Sequence, residues 1–285
     1  MSTDSTGILY VVGTPIGNLD DLSSRARRVL DAVDLIAAED TRRTRGLLSS
    51  IEVNNRLIAY HEHNETQQAP RLLERLRGGE SVALVSDAGS PLLSDPGLIV
   101  VRAARAAGIS VVSIPGPSAL TAALSVAGLP TDHFVFEGFL PRRAGPRRAR
   151  LTLLARESRT LVFYESVHRL SDMLAALVEH FGFDRPAVIA RELTKVHEQV
   201  YEGTLAELSK QLGGDIPLKG EFVVLVAGDR NAPPAEDGEI ARVFDLLAAE
   251  VPSKTAVALT VKITGTSRNR VYSVTRGLTR GDKPE

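Results

Sequence analysis

One stretch, residues 82–97, constrains the fold more than any other part of the chain. It reads VALVSDAGSPLLSDPG and begins with four apolar residues, the length of a buried strand. The rest of it contains two Asp, three Ser, two Gly and two Pro, and residues 98–108 then follow a helical pattern that ends at Gly108. A strand, a shaped loop and a helix in this order predict a ligand-binding loop at the carboxyl end of a parallel sheet. An ordinary connection rich in turn residues is the alternative.

The same unit recurs in the first half of the chain. Further strands are predicted at residues 8–12, 35–38, 57–60 and 110–114, and a polar loop and a helix follow each of them. Alternating strands and helices favour a parallel sheet, whose carboxyl ends meet at one edge. The polar loops are therefore expected to lie together.

The second half of the chain has a different organisation. After a hinge at residues 128–132, strands are predicted at 134–136, 160–164, 187–190, 198–201 and 222–227, with an arginine-rich loop at 141–150. A Pro-rich linker at 231–237 leads to three short helices, 240–249, 254–263 and 268–276, spaced as in a helix-turn-helix. The sequence predicts two α/β domains, residues 1–127 and 128–230, and a linker with a helical tail, residues 231–285.

Composition excludes several classes of function. The chain has no cysteine, so disulfides, thiolate catalysis and cysteine-bound metals are ruled out. No apolar run approaches the roughly 18 residues of a membrane span, and the first residues are polar. We therefore expect a cytoplasmic protein with no membrane partner.

The distribution of charge says more about partners than the net charge of −1 does. Five arginines crowd one short segment that contains no acid: Arg142, Arg143, Arg147, Arg148 and Arg150. Local basic patches on a neutral protein favour a polyanionic partner. A solvated loop is the alternative.

Two further motifs leave alternatives open. The loop at residues 13–18 is neither a G-x-G-x-x-G fingerprint nor a Walker A loop, which weakens dinucleotide and nucleoside triphosphate interpretations. His61 and His63 alternate on an extended segment and have a two-ligand spacing. No third ligand follows at helical spacing, so we expect a polar substrate rim and no metal.

Nine motifs together resemble a known superfamily. They are GTPIGNLDDLS from Gly13, LIAAEDTR from Leu35, YHEHNE from Tyr60, LVSDAGSPLLSDPG from Leu84, PGPSA from Pro115, EGFLP from Glu137, FYESVHR from Phe163, ARELTK from Ala190 and KGEFVVLV from Lys219. The chain resembles the tetrapyrrole methylases, the class III S-adenosylmethionine methyltransferases, and within them the branch that methylates ribosomal RNA. The resemblance covers nearly all of residues 8–228.

The resemblance implies two α/β domains with the methyl donor, S-adenosylmethionine, in the cleft between them, and commonly a homodimer. It implies 2′-O-methylation of the ribose of a decoding-centre cytidine, position 1402 of 16S rRNA, in the small ribosomal subunit. Two other functions stay open: a precorrin-type tetrapyrrole methyltransferase, and a non-catalytic RNA-binding factor of ribosome assembly.

Motif positions in the resemblance also imply which residues bind the donor. These are Thr14, Pro15, Gly89, Ser90, Pro91, Leu93, Ser118, Ala119, Tyr164, Glu165 and Leu193. Precorrin-type relatives carry an acid directly before the loop proline, where this chain has Ser90. The resemblance therefore supports the loop more strongly than that side chain.

Methyl transfer to a ribose hydroxyl calls for alignment and for a base or an oxyanion stabiliser. Glu165 and Lys195 are the preferred candidates, because both follow second-domain strands, and Asp40 and His61 are the alternatives. RNA contacts are expected from Arg42 and from the five clustered arginines.

Overall fold

The computed structural model describes residues 6–229 and 235–275. Five strands form the predicted parallel sheet in the order β3-β2-β4-β1-β5. Their bounds are Ile8–Val12 (β1), Leu35–Ala38 (β2), Leu57–Ala59 (β3), Val82–Val85 (β4) and Ser110–Ile114 (β5). The predicted strands are therefore confirmed, with β3 one residue shorter than expected.

Helices cover both faces of this sheet. They are Ser24–Ala32 (α1), Thr41–Ser50 (α2), Glu65–Arg77 (α3), Leu98–Ala106 (α4) and Ala119–Val126 (α5), and a 3-10 turn spans Leu19–Asp21. Alternation along β2 sends Leu35 and Ala37 into a core shared with α3 and α4. Ile36 and Ala38 enter a second core shared with α1 and α2. Burial on both faces explains the uninterrupted apolar runs of β2 and β4.

A second sheet has the order β6-β7-β10-β8-β9. Its strands are Phe134–Phe139 (β6), Thr160–Ser166 (β7), Pro186–Arg191 (β8), Gln199–Thr204 (β9) and Glu221–Val226 (β10). Only β6 and β7 pair in parallel, whereas the other neighbours are antiparallel. One face carries helices Ala144–Leu154 (α6), Leu170–Phe181 (α7) and Leu205–Gln211 (α8) over an apolar core. The structure is thus two α/β sheets, as predicted.

The arginine-rich segment was predicted as a loop, and this prediction is wrong. Helix α6 begins at Ala144, so Arg147, Arg148 and Arg150 are helical. Gly145 and Pro146 are compatible with this helix because both lie in its first turn, where backbone N–H groups have no intrahelical partner. A proline there removes no hydrogen bond.

The second face of the second sheet packs against the first half of the chain. Leu120 and Ala123 of α5 are buried against Val162, Val223 and Leu225. This shared apolar core joins the two sheets and leaves a cleft beside it. The division at residue 127 stays a prediction.

Three helices form the tail: Ala235–Ala248 (α9), Ser253–Thr264 (α10) and Arg268–Thr275 (α11). They enclose a small core of their own that includes Phe244, Val257 and Val271. The Arg270 guanidinium donates two hydrogen bonds to Asp237, at 2.8 and 2.6 Å.

The tail helices begin close to the predicted positions. The Ser267 hydroxyl caps α11 by accepting a hydrogen bond from the Arg270 N–H, and α10 begins at Ser253, one residue earlier than predicted. Of the predicted linker, residues 235–237 are helical and 231–234 lie outside the described residues, as does Arg276. Within residues 6–229 and 235–275, no helix is long and apolar enough to cross a membrane.

Two glycines permit the loops after β1 and β5 to touch. A Cβ built on Gly116 would lie 2.8 Å from the backbone carbonyl of Gly13, closer than real Cβ contacts. We predict that Gly116→Ala lowers the free energy of unfolding by about 1–3 kcal/mol, because the backbones must move apart. Urea denaturation measures this.

Gly145→Ala is the matched control. A Cβ at Gly145 meets nothing within 4 Å among the described residues, and the position is helical, so alanine should be neutral or stabilising by up to about 1 kcal/mol. Equal stability of the Gly116→Ala and Gly145→Ala variants would contradict the packing argument.

Candidate active site

A cavity of about 390 Å³ lies between the two sheets, at the carboxyl edge of the parallel one. Loops that follow β1, β2, β4 and β5 form one side of it, and β6, β7, β8 and β10 contribute the other. The predicted meeting of the polar loops is therefore observed, as expected for the carboxyl edge of a parallel sheet.

Eight of the eleven residues predicted to bind the donor line this cavity: Gly89, Ser90, Leu93, Ser118, Ala119, Tyr164, Glu165 and Leu193. The other three lie behind the wall or beside it. Pro91 is buried, and Pro15 lines a smaller adjoining pocket of about 310 Å³. Thr14 is buried and exchanges two backbone hydrogen bonds with Gly89, at 2.9 and 3.0 Å. Thr14 thus holds the loop after β4 against the loop after β1.

The loop after β4 is fixed in an uncommon conformation. Leu92 and Ser94 have φ values of 73° and 69°, in the left-handed region that side chains other than glycine rarely adopt. Three contacts hold it there. Leu92 packs into the core of the first sheet, and the Gly97 N–H donates a hydrogen bond to Glu65. Ser94 lies against the backbone of Gly138, so closely that a Cβ on Gly138 would be 2.6 Å from the Ser94 hydroxyl. Strain maintained by surrounding structure is typical of functional loops.

Aromatic side chains form the second-sheet wall. The Tyr164 ring meets Phe136 and Phe139 edge to face, with centroids 4.9 and 5.7 Å apart. Burial raises the pKa of Tyr164, and the charge of Asp95 adds to this, while a hydrogen bond with Ser118 partly offsets it. Phe139 is 53% exposed at the cavity rim. The wall therefore offers an apolar face with a protonated phenol.

Glu165 is the most deeply buried acid of the cavity lining, with 1% of its side chain exposed. Its Oε1 accepts hydrogen bonds from the Ser166 N–H at 2.8 Å and the Ser166 hydroxyl at 3.4 Å. Its Oε2 lies 3.5 Å from Arg169 and accepts no hydrogen bond from the described residues. Since buried polar atoms are nearly always paired, this oxygen points to a ligand.

Asp40 and Arg42 neutralise each other. Asp40 caps α2 by accepting from the Arg42 N–H, and the guanidinium donates to both carboxylate oxygens at 3.2 and 2.8 Å. The side-chain hydrogen bond from Arg42 holds the pKa of Asp40 well below its usual range. Asp40 is therefore a poor base, and the charge of Arg42 is partly offset.

Lys195 does not line the cavity. Its ammonium donates to Glu192 at 2.7 Å and Glu221 at 2.9 Å, and its methylene groups lie against Gly17, where a Cβ would sit 2.3 Å from Lys195 Cγ. Burial opposes its charge, but the two hydrogen bonds outweigh burial and raise the pKa of Lys195. A lysine that stays protonated at neutral pH cannot accept a proton, so this geometry favours a clamp between Glu192 and Glu221 of the second half, packed against Gly17 of the first.

His61 also lies away from the cavity lining, because the loop after β3 does not reach it. The His61 ring lies 6.0 Å from His63, edge to face, and its buried Nδ1 has no hydrogen-bond partner among the described residues. Across residues 6–229 and 235–275, no three His, Asp or Glu side chains are grouped so that they could hold a metal ion.

Five charged residues of the cavity lining were not among the predicted site residues: Glu39, Arg43, Asp87, Asp95 and Glu221. Asp87 accepts from the Asp40 N–H at 3.0 Å and pairs with Arg43 at 3.2 Å. Burial raises the pKa of Asp95 to about 6, and the charges of Glu39 and Asp87 contribute, against a hydrogen bond with Ser86. The stretch at residues 82–97 was predicted to be a ligand-binding loop, but no role was given to the acid within its SDPG sequence.

Comparison with known proteins agrees with this architecture. The family model for the Tetrapyrrole (Corrin/Porphyrin) Methylases matches residues 8–209. The model for the RsmI C-terminal HTH domain matches residues 234–274. The chain is 53% identical over 273 residues to the ribosomal RNA small subunit methyltransferase I of Xylella fastidiosa, covering 95% of this chain and 99% of the relative. It is 53% identical over 272 residues to the Pseudomonas aeruginosa protein of the same name, covering 94% and 96%.

The chain belongs to the ribosomal RNA small subunit methyltransferase I family. Among solved structures, a Thermus thermophilus uroporphyrin-III C-methyltransferase complexed with S-adenosylhomocysteine aligns with a TM-score of 0.55 and 20% identity, over 78% of this chain and 97% of that one. This similarity shows that the two proteins share a fold. The predicted superfamily, branch and fold are confirmed.

The cavity of this family member suits a sulfonium nucleoside. Carboxylates of Glu39, Asp87 and Asp95 balance a cationic donor, and Ile16, Leu193 and Val223 supply apolar surface. Gly89, with φ of 82°, lets the loop backbone face the cavity. The donor needs no phosphate-binding lysine, and the cavity lining contains none.

The clamp assigned to Lys195 is testable by stability. Lys195→Met keeps the methylene packing but leaves Glu192 and Glu221 without their shared cation, so we predict a loss of about 1–3 kcal/mol of unfolding free energy at neutral pH. Because the folded-state pKa of Lys195 is raised, this stabilisation is complete below the unfolded pKa of about 10.4 and is lost as pH rises through the folded pKa.

Lys219→Met is the control, since that lysine is exposed. Urea titrations of both variants and the wild type, at neutral and alkaline pH, measure the difference. A Lys195→Met variant as stable as Lys219→Met at neutral pH would refute the clamp.

Proposed function

We propose that this chain transfers the methyl group of S-adenosylmethionine to the 2′-oxygen of a cytidine ribose in the decoding centre of 16S rRNA. The chain is a donor-dependent methyltransferase of small-subunit ribosomal RNA, as its family membership implies. The ribose oxygen, the nucleotide and the residue roles below are our proposal. The observation that carries it is an acidic, partly apolar cavity with arginines on both sides.

The loop after β4 and the N-terminus of α5 would hold the nucleoside end of the donor. Gly89 presents backbone, Ser118 contributes a buried hydroxyl that makes no helix-cap hydrogen bond, and Leu193 provides apolar contact. When bound, the sulfonium supplies an electrophilic methyl group. The protein's main task is alignment, which can provide roughly 7–11 kcal/mol of the barrier.

Glu165 would accept a hydrogen bond from the donor through Oε2. This buried oxygen has no hydrogen-bond partner in the described chain, whereas Oε1 is held by Ser166. A ligand hydroxyl or ammonium would satisfy it and offset the cost of burying a carboxylate. We assign Glu165 to binding and not to proton transfer.

RNA would approach across the arginines that flank the cavity. Arg43 lines it from α2, and β6 ends at Phe139 on its rim, three residues before Arg142. Arg147 and Arg148 continue this surface along α6. Arg148 lies 3.5 Å from Glu179 in an exposed pair, whereas Arg150 is held by Glu137 at 2.6 Å. Guanidinium groups neutralise phosphates, and an exposed ring such as Phe139 can stack on an unstacked base.

Assembly and location follow from the same proposal. A homodimer is expected from the superfamily, and a ribosomal substrate implies a cytoplasmic enzyme. Sedimentation of the purified chain tests the first of these directly.

Mapping of ribose methylation is the decisive experiment for the activity. Small subunits lacking the modification are incubated with the protein and methyl-labelled donor, and 2′-O-methyl groups on 16S rRNA are located. The proposal expects label on the ribose of one decoding-centre cytidine. Label on a base, or no label in 16S rRNA, would overturn it.

The role of Glu165 predicts a loss of donor binding. Glu165→Gln keeps the volume but weakens the hydrogen bond, so we predict a roughly 10- to 100-fold loss of donor affinity by calorimetry. The change also weakens the 3.5 Å pair with Arg169, so circular dichroism must show that the variant is folded before affinities are compared. Glu202→Gln, exposed on β9, is the control. Unchanged donor affinity would exclude the assigned contact.

The RNA surface predicts a salt effect. Replacing both Arg147 and Arg148 with Ala should weaken RNA binding and reduce the slope of log affinity against log salt by about 2, one for each lost phosphate contact. The control replaces Arg102 and Arg105, which are exposed on α4 and lie toward the amino edge of the first sheet, away from the cavity. Identical slopes for the two double variants would eliminate α6 as the RNA surface.

A further inference from the structure

The proton on the ribose hydroxyl needs an acceptor, and the structure leaves the expected candidates occupied or remote. Glu165 pairs with Arg169 at 3.5 Å and its Oε2 is assigned to the donor, Asp40 is neutralised by Arg42, Lys195 is a paired ammonium, and His61 lies off the cavity lining. A general base must be ionised at working pH and must reach the reacting oxygen. None of the four combines these properties.

Asp95 has the required position. It lines the cavity together with Ser94, on the wall that faces Tyr164 and Glu165 of the second sheet. Its loop is held at both ends, by Leu92 in the core of the first sheet and by the Gly97 N–H bound to Glu65, while Ser94 lies against Gly138 of β6. A carboxylate on so constrained a loop is preorganised toward the cavity, as catalytic groups must be.

We propose that Asp95 is the general base that accepts the proton of the ribose 2′-hydroxyl. The assignment rests on the proposed function. As the 2′-oxygen bonds to the methyl carbon and the sulfur–methyl bond breaks, Asp95 takes the hydroxyl proton onto its carboxylate. The products are the 2′-O-methyl ribose, S-adenosylhomocysteine and a neutral Asp95, which then releases its proton to water.

The surroundings of Asp95 match this role. Burial raises its pKa to about 6, so it is ionised at neutral pH and more basic than an exposed aspartate. Asp87 is the contrasting carboxylate, because a backbone N–H and Arg43 already bind it. The ionisable groups that line the cavity with Asp95 are Glu39, Arg43, Asp87, Tyr164, Glu165 and Glu221.

The first test compares Asp95→Asn with Asp87→Asn. For wild type, log kcat should rise with pH and level off above about pH 6. Asp95→Asn should lose this rise and lower kcat by roughly 10²- to 10⁴-fold, while calorimetry shows a donor affinity no weaker than that of Asp87→Asn, which removes the same charge from the cavity. Asp87→Asn should keep the rise but move it to lower pH, because a negative charge that raises the pKa of Asp95 is removed.

The second test does not depend on activity. Carboxyl ¹³C NMR of aspartate-labelled protein should show one resonance that titrates near pH 6 and is absent from Asp95→Asn. Its absence from wild type would overturn the proposal even if the variant fails to fold. A variant that loses donor affinity but keeps the pH-dependent rise would make Asp95 a binding residue and also overturn it. If wild type forms no 2′-O-methyl cytidine, the proposed function itself fails, which is a separate outcome.

Discussion

The apolar contact between α5 and the second sheet is the interaction on which the rest of the structure depends. Leu120 and Ala123 lie on Val162, Val223 and Leu225, so a helix of the first half completes the core of the second. Burial of this kind contributes roughly 25 cal/mol per Å² of apolar surface. Because this contact fixes the position of one sheet on the other, the loops that follow the strands of the first sheet face the second sheet across a cavity of fixed shape.

Charge is distributed around this cavity in a way that separates two tasks. Carboxylates of Glu39, Asp87 and Asp95 line the interior, whereas the arginines of α6 lie outside it. The interior therefore attracts a cation and the rim attracts phosphate, so a cationic donor and a polyanionic acceptor can approach without competing for the same groups. Lys195 pairs Glu192 with Glu221 within the second half, and its methylene groups lie against Gly17 of the first half.

Much of this arrangement could be predicted from the sequence, because apolar runs and turn residues are local signals. Residues 82–85 formed the expected strand, and the polar loops met at the expected edge. What failed depended on distant partners or on position within an element. The arginine-rich segment was predicted as a loop, although Gly145 and Pro146 fit the first turn of α6. Lys195 was a catalytic candidate because it follows a second-domain strand, but its ion pair with Glu221 joins residues that are distant in sequence. Asp95 was missed because its burial and the approach of Glu39 exist only in the folded chain.

Residues 82–97 were predicted to form a strand and a ligand-binding loop. In the structure this loop is strained and anchored at two points, and it places Asp95 in the cavity lining. We expect this cavity to bind the methyl donor, and a crystal structure of the protein with S-adenosylhomocysteine is the test. The nucleoside should lie between the Gly89 loop and the Tyr164 wall, with a polar group on Glu165 Oε2. A ligand bound elsewhere, with this cavity empty, would refute the assignment.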